Sequence, residues 1–497
     1  MGYYEEIKLS KKSEQHLYVQ LYDAIKNHII QGTIKADEKL PPIRQLAEIL
    51  CVNNATVVKA YELLEQEGYV YKRVGSGTFV SLKPYPLSAA IESVRLPVDE
   101  DLSLMNRGQI QIQEHMVSFA SATPTPDLFP VDDFQILLNE VLNRDKGNAF
   151  GYQESQGYFP LRESLVAYMR QYGIETKSEN IQVISGAQQG IDVIAKAFIN
   201  PGDVVILEKP TYTGAIATFK SRGAKIIDIP IREDGLDIEA LEAVIEKYRP
   251  NLIYLMPNFQ NPTGYSYSRE KKQRVLSLAQ QYSFHIVEDD YLSDLSFYHT
   301  ENTTLKSMDQ QDHVIYIKSF SKIFMPGLRL GFLVLPEKAY PRILAAKHAS
   351  DISTSGLIQR AFDLYLRNGI WKKHIHYMEN IYKERYEIMD QVIRKYILPL
   401  GITYHPPLGG LNFWLCLNEK FSTNQLYNMA VKKNILIVPG SLFSVDQKDS
   451  NCFRLSIAAV YPEQIEPGIQ ALSEVIKEYI ESKDNKKRNT GVYTPLL

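Results

Sequence analysis

The chain has 497 residues, too many for one ordinary domain and enough to bury more than one core. Its 44% hydrophobic and 23% charged residues are the balance of soluble globular proteins, and its net charge of -3 gives no global attraction to nucleic acid. Any nucleic-acid contact must therefore come from local basic surface.

Three scattered cysteines, Cys51, Cys416 and Cys452, lack metal-ligand spacing, so a cytoplasmic protein with no disulfide framework and no metal site is expected. The N-terminal run Met1-Gly2-Tyr3-Tyr4-Glu5-Glu6 has no apolar signal core, and Glu6 breaks the myristoylation pattern. No stretch of about 18 apolar residues is present to span a membrane.

Residues 14–31 place Tyr18, Leu21, Tyr22, Ile25 and Ile29 on one helical face. Pro41-Pro42 opens a short second helix, Ile43 to Leu50. A turn at Cys51-Val52-Asn53 leads into a third helix, with Asn53 or Asn54 as N-cap, a buried stripe of Val57, Ala60, Tyr61 and Leu64, and Gly68 as its stop. Two short strands, Tyr69 to Lys72 and Thr78 to Val80, flank Val74-Gly75-Ser76-Gly77.

Three helices and a hairpin form a winged helix-turn-helix over residues 1–80. Its third helix would enter a major groove while its wing reaches the neighbouring backbone. Arg44, Asn54, Thr56 and Lys59, with Gly75, Ser76 and Gly77 at the wing tip, are the candidate DNA contacts, and Lys72 and Arg73 flank the wing. Six basic residues (Lys35, Lys39, Arg44, Lys59, Lys72, Arg73) balance six acidic ones between Lys35 and Arg73, so binding must rest on segregation of charge. A protein-interaction domain of the same fold is the alternative.

The runs Lys39-Leu40-Pro41-Pro42-Ile43-Arg44-Gln45-Leu46-Ala47, Glu67-Gly68-Tyr69 and Gly75-Ser76-Gly77-Thr78-Phe79-Val80 resemble the DNA-binding domain of GntR-type bacterial repressors. Residues 81–116, with Pro84, Pro86, Pro97, an acidic patch at Asp99-Glu100-Asp101 and glutamines at Gln111 and Gln113, read as a linker.

From residue 117 short apolar strands alternate with helical stretches. Seven strands are predicted: Ile181–Ile184, Val204–Leu207, Lys225–Ile229, Leu252–Met256, His285–Glu288, Val314–Ile317 and Leu330–Leu335. This is an α/β pattern with a seven-stranded, mostly parallel sheet in residues 117–340, followed by a smaller α+β part in residues 341–480. Ligands in such sheets gather at the C-terminal ends of the strands. Residues 481–497 are polar and basic and read as a disordered tail.

Polar groups fall at those strand ends. Ser185-Gly186-Ala187-Gln188 joins a strand to a helix, where free N–H groups can receive phosphate. Asn261-Pro262-Thr263-Gly264 follows the fourth strand, and Glu288-Asp289-Asp290-Tyr291 ends the fifth, where carboxylates could equally suggest a metal. After the sixth comes Ser319-Phe320-Ser321-Lys322, with Arg329 seven residues on. That amine can condense with an aldehyde cofactor while the hydroxyls and guanidinium hold its phosphate. Alone, a lysine in such a loop is an ordinary surface charge; four loops in this order share the chemistry of pyridoxal phosphate. A buried carboxylate keeps its pyridine nitrogen protonated, a Tyr and an Asn bind its phenolate oxygen, and an aromatic ring stacks on it.

The same residues resemble fold-type I, class I aminotransferases. The resemblance implies that Lys322 carries the cofactor as a Schiff base and that Asp289 pairs with the ring nitrogen. Asn261 and Tyr291 would bind the phenolate oxygen and Tyr212 would stack on the ring. Gly186, Ala187, Gln188, Ser319, Ser321 and Arg329 would hold the phosphate. Tyr152 resembles the tyrosine that reaches the phosphate of the other subunit, which implies a homodimer, and Arg454 resembles the arginine that takes an amino acid's carboxylate. The loops Pro406–Gly410 and Val438–Phe443 resemble those folded over the substrate.

A GntR-type reader joined to such a domain resembles the MocR subfamily of bacterial regulators. That resemblance implies a DNA-binding regulator that senses an amino acid or other amine at Lys322. The alternative is a working aminotransferase carrying a DNA-binding module. No Lys or Arg lies between Tyr212 and Lys220 to grip a second carboxylate, which argues against dicarboxylic ligands.

Overall fold

The computed structural model describes residues 4, 7, 9–10, 15–73, 76–81, 116–298 and 303–489. The expected linker therefore lies almost wholly outside the described residues, as do Gly75 of the wing tip and residues 490–497. The chain divides into two units, Met1–Val98 and Asp99–Leu497.

In the first unit the helices Leu17–Ile30, Ile43–Ile49 and Asn54–Gln66 precede strands β1 (Val70–Arg73) and β2 (Gly77–Val80). Leu21, Ile25, Leu46, Val57, Ala60, Leu64 and Val80 form one buried cluster, the amphipathic faces the sequence predicts. Asn53 caps the third helix, its Oδ1 accepting from the Ala55 N–H at 3.1 Å. The hairpin pairs Val70 with Val80 and Arg73 with Gly77.

The second unit opens with β3 (Val117–Ser118) and is built on a central sheet. In chain order its strands are β4 (Ile181–Ile184), β5 (Val204–Lys209), β6 (Lys225–Arg232), β7 (Gly235–Leu236), β8 (Leu252–Leu255), β9 (His285–Asp290), β10 (Val314–Ser319) and β11 (Gly331–Val334). They lie in the order β4-β11-β10-β9-β8-β5-β6-β7. All seven predicted strands are present. The eighth, β7, is a two-residue return after Asp234, with Gly235 at φ +118, too short to leave an apolar run in the sequence.

Strands β6, β5, β8, β9 and β10 run parallel; β11 is antiparallel to both of its neighbours. Every residue of β4, β8, β10 and β11 is buried, as expected for strands covered on both faces. Helix Ala187–Phe198 lies close on this sheet. A Cβ on Gly190 would come within 2.7 Å of Ile184 and 3.1 Å of Leu333.

A second, antiparallel sheet orders β12 (Thr403–Tyr404), β13 (Asn412–Cys416), β16 (Cys452–Ser456) and β15 (Val438–Pro439). Strand β14 (Ile435–Leu436) pairs in parallel with β3, so the segment expected to open the large part pairs with the C-terminal part instead. A two-residue strand with a partner more than three hundred positions away has no local signature.

Two expectations are corrected. Cys416 and Cys452 form a disulfide, contrary to the expected absence of one: the register of β13 and β16 sets them directly opposite, with Cα atoms 4.0 Å apart. The closing helix Pro462–Asn489 also runs past Glu481 as far as Asn489, into the first part of the segment expected to be disordered, the rest of which lies outside the described residues. Buried Ile465, Ile469, Leu472 and Ile476 anchor its first turns, and a nucleated helix extends cheaply through Glu and Lys.

Candidate functional site

The C-terminal ends of β4, β5, β8, β9 and β10 open on a cavity of about 880 Å³. Eleven residues singled out from the sequence line it: Ala187, Gln188, Tyr212, Asn261, Asp289, Tyr291, Ser319, Ser321, Lys322, Arg329 and Arg454. Strand ends position the first ten; β16, from the other sheet, supplies Arg454. Two candidates do not line it. Gly186 is buried at the N-cap of helix Ala187–Phe198, and Tyr152 is on the surface, 85% exposed.

Lys322 sits in the turn after β10, half-buried. Burial brings its amine down from 10.5 to about 8, and the guanidinium charges of Arg454 and Arg329 act in the same direction. Asp289, one residue before the end of β9, is buried and pushed up to about 7 because burial disfavours its charge. Its Oδ2 accepts from the Tyr254 hydroxyl at 2.6 Å, whereas its Oδ1 has no partner.

The carboxylates flanking Asp289 take other work. Glu288 accepts from the N–H groups of Leu305 at 2.7 Å and Lys306 at 2.8 Å. Asp290 pairs with buried Lys318 at 3.2 Å, and although burial opposes its charge, that ammonium keeps its carboxyl below the usual range. Lys318 also meets Asp294 at 2.6 Å. The acidic run is thus divided among a helix cap, an open carboxylate and an ion pair, and does not converge on a metal.

Tyr212 donates to Gln188 Oε1 at 3.1 Å, and Gln188 Nε2 donates to Thr218 at 2.8 Å. Tyr291 donates to the Phe259 carbonyl at 2.8 Å and accepts from Asn412 at 3.0 Å. Arg329, at φ +51, donates to the Ser185 carbonyl at 3.0 Å. Gly186 (φ +87) faces it: a Cβ there would lie 2.5 Å from Arg329 Nη2, so only glycine lets the guanidinium stand over the helix start. At that start the first N–H groups have no intrahelical acceptor.

Arg454 is buried, which lowers its guanidinium to about 10. It donates through Nη1 to Asn261 Oδ1 at 2.9 Å and through Nη2 to the Ala120 carbonyl at 2.7 Å, and its Nε is without a partner. Of the two expected covering loops, Val438–Phe443 contributes to the lining, while Gly409 and Gly410 pack against Phe259.

These groups fit pyridoxal phosphate. An open buried carboxylate oxygen suits a protonated ring nitrogen, and a guanidinium over a helix start cradled by glycine suits a phosphate. The amine of depressed pKa is the one that would hold the aldehyde carbon. When bound, the cofactor supplies a carbonyl that amines condense with and a cationic ring that withdraws electrons from them.

Sequence reasoning missed Tyr254, Asn412, the Ser118–Thr123 segment and the lining from helix Thr423–Val431 (Asn424, Tyr427, Asn428). Tyr254 had a signal, since a tyrosine in a strand buried on both faces must find its hydroxyl a partner. The others come from remote segments.

Residues 127–472 match the family of class I and II aminotransferases, and residues 17–80 the gntR family of bacterial regulatory proteins. The chain belongs to the class I and II aminotransferase family. Members of that family use pyridoxal phosphate. An aromatic-amino-acid aminotransferase of Thermococcus litoralis is 33% identical over 73% of this chain and 88% of its own length. The probable rhizopine catabolism regulatory protein MocR of Rhizobium meliloti is 30% identical over 93% of this chain and 94% of its own. Among solved structures, a kynurenine aminotransferase of Pyrococcus horikoshii superposes with a TM-score of 0.72 at 30% identity, over 78% of this chain and 96% of its own. The chain has the two-domain architecture of MocR-type regulators, with a GntR-type DNA-binding domain ahead of the aminotransferase-like one.

In that first domain Arg44, Asn54 and Lys59 are exposed and Thr56 is half-buried. Lys26, Lys72 and Arg73 are paired with Glu67, Glu65 and Asp37 at 2.8, 2.5 and 3.6 Å. Among the described residues no carboxylate is within ion-pair distance of Arg44 or Lys59, and Lys59 lies over the Tyr18 ring at 5.4 Å. Acidic partners thus neutralise the two flanking wing residues and leave charge on the face of the second and third helices. Ser76 and Gly77 form the described part of the wing tip, with the Ser76 N–H donating to the Arg73 carbonyl at 2.9 Å. No described helix is long and apolar enough to cross a membrane.

Proposed function

We propose that this chain is a pyridoxal phosphate-dependent transcription regulator that senses an amino acid or another amine at Lys322, acting as a homodimer on bacterial nucleoid DNA in the cytoplasm. The observation that carries the sensing reading is the union of a free Asp289 oxygen, a half-buried Lys322 and a buried, partly unpaired Arg454 in one cavity, on a chain that also carries a DNA reader.

Each residue has a physical task. Lys322 would hold the cofactor's aldehyde carbon, and its amine, when free, would take or return a proton at the ligand's α-carbon. Asp289, with Oδ1 unpartnered, would keep the ring nitrogen protonated. Arg454 receives the ligand's carboxylate through its unpartnered Nε side. Tyr152, exposed beside Phe150 (68% exposed), is where a second copy would complete the phosphate site. The test is a spectral titration of the purified protein with amines beside operator footprinting. Amines should move the cofactor band and alter operator binding; a footprint indifferent to cofactor and to every amine sinks the sensing reading.

The depressed amine of Lys322 also favours a second reading, a competent aminotransferase tethered to a DNA-binding module. Full turnover with a keto acid at about 1 s⁻¹ or faster would support it, and a first half-reaction that stalls would count against it.

A further inference from the structure

The cavity holds more than the cofactor residues, and its remaining wall is uniform in one respect. Of the side chains that line it, four are charged: Asp289, Lys322, Arg329 and Arg454, each already assigned a task. The rest of the polar wall is neutral. Helix Thr423–Val431 turns Asn424 and Asn428, one helical turn apart, toward the cavity together with Tyr427, and Gln447 joins them from the loop after Phe443. Charges near the mouth are paired elsewhere, Lys448 with Asp446 at 3.1 Å and Lys209 with Asp228 at 3.1 Å. The Lys220 ammonium donates to the Val445 carbonyl at 2.9 Å.

The wall has hydrogen-bonding capacity to spare. Asn424 Oδ1 accepts from Ser441 at 2.7 Å, which leaves its NH₂ group to face a ligand. The side chains of Tyr427, Asn428 and Gln447 make no hydrogen bond to any described residue. A charged ligand side chain placed here would lose water without gaining a counter-ion. A purely aliphatic one would meet the apolar part of the lining, Leu436, Ile437, Val438, Leu442 and Phe443, but would leave the free amides of Asn424, Asn428 and Gln447 without a ligand partner. A side chain carrying an amide or hydroxyl meets neither penalty.

We infer that the ligand of this site is an α-amino acid with a single carboxylate and an uncharged, hydrogen-bonding side chain, and that Asn424, Tyr427, Asn428 and Gln447 read that side chain. This rests on the sensing reading above and narrows it. Arg454 and Lys322 engage the carboxylate and amine common to all amino acids, so discrimination is left to the neutral wall.

The test compares glutamine, glutamate, lysine, leucine and alanine on the cofactor-loaded full chain, by band shift and independently by calorimetry. Glutamine should bind about tenfold tighter than glutamate or lysine, the worth of about one hydrogen bond to the wall. In Asn428→Leu, whose site is exposed enough to tolerate the change, the ratio of glutamine to alanine affinity should fall about tenfold. Glutamate, lysine or leucine binding as tightly as glutamine overturns the inference, as does a ratio unmoved in Asn428→Leu. If no amine moves the band or releases heat, the sensing reading itself fails, and this inference with it.

Discussion

At Lys322 the decisive quantity is the fraction of neutral amine. An amine of pKa about 8 is neutral about one time in ten at pH 7, against about three in ten thousand for an ordinary lysine. Capture of pyridoxal phosphate by the cofactor-free protein should accelerate about tenfold per pH unit below 8 and level off above it. Arg454→Gln removes a neighbouring cation and should move that plateau to higher pH; a stopped-flow profile left in place would contradict the electrostatic account. In stability terms the depressed lysine costs most below pH 8. The cost fades as pH rises toward 10.5, because the unfolded chain binds more protons in that window. Asp289 runs the other way. Raised from 3.8 to about 7, its contribution is fully present below the ordinary carboxylate value and is lost as pH climbs through 7. A ring cation beside Oδ1 would restore it. Cofactor should therefore raise Tm more at pH 8 than at pH 5, and Asp289→Asn should erase most of that difference in a thermal melt.

At the scale of elements, the loop between β4 and helix Ala187–Phe198 depends on Gly186. In Gly186→Ala the new methyl meets Arg329 at 2.5 Å, and the backbone must hold φ +87 with a side chain. Displacing the guanidinium should weaken cofactor retention about tenfold to a hundredfold, the loss of one or two charge-assisted hydrogen bonds. Dialysis followed at the cofactor band reads this directly, and retention equal to the parent protein would remove Arg329 from the phosphate site. Such loops were legible in advance because strand, turn and helix are local: seven strands, the wing and the strand-end polar residues all follow from nearby pattern. What was not legible depends on register and on distant segments. Cys416 and Cys452 meet only because β13 and β16 pair without offset, β3 finds β14 across most of the chain, and Tyr291 gives its hydroxyl to Phe259 and Asn412. No window of sequence contains either partner of these pairs together with the other.

At the scale of the whole molecule, reader and sensor share one chain, and thermodynamics constrains them whatever path joins them. If an amine changes operator affinity by some factor, operator must change amine affinity by the same factor. A factor of about ten is ordinary for such coupling. The amine midpoint, measured with and without saturating operator duplex, should therefore shift by the ratio of operator Kd values found with and without amine. Lys322→Ala should abolish both shifts together. Arg44→Ala and Lys59→Ala, each of which removes a cation without a carboxylate partner among the described residues, should each weaken operator binding and lower the slope of log affinity against log salt by about one. Neither change should move the amine midpoint in the absence of DNA, since the two residues belong to the first unit and the cavity to the second. No shift in either titration would mean that amine and operator bind independently, and would leave the aminotransferase-like domain as a passenger on the regulator.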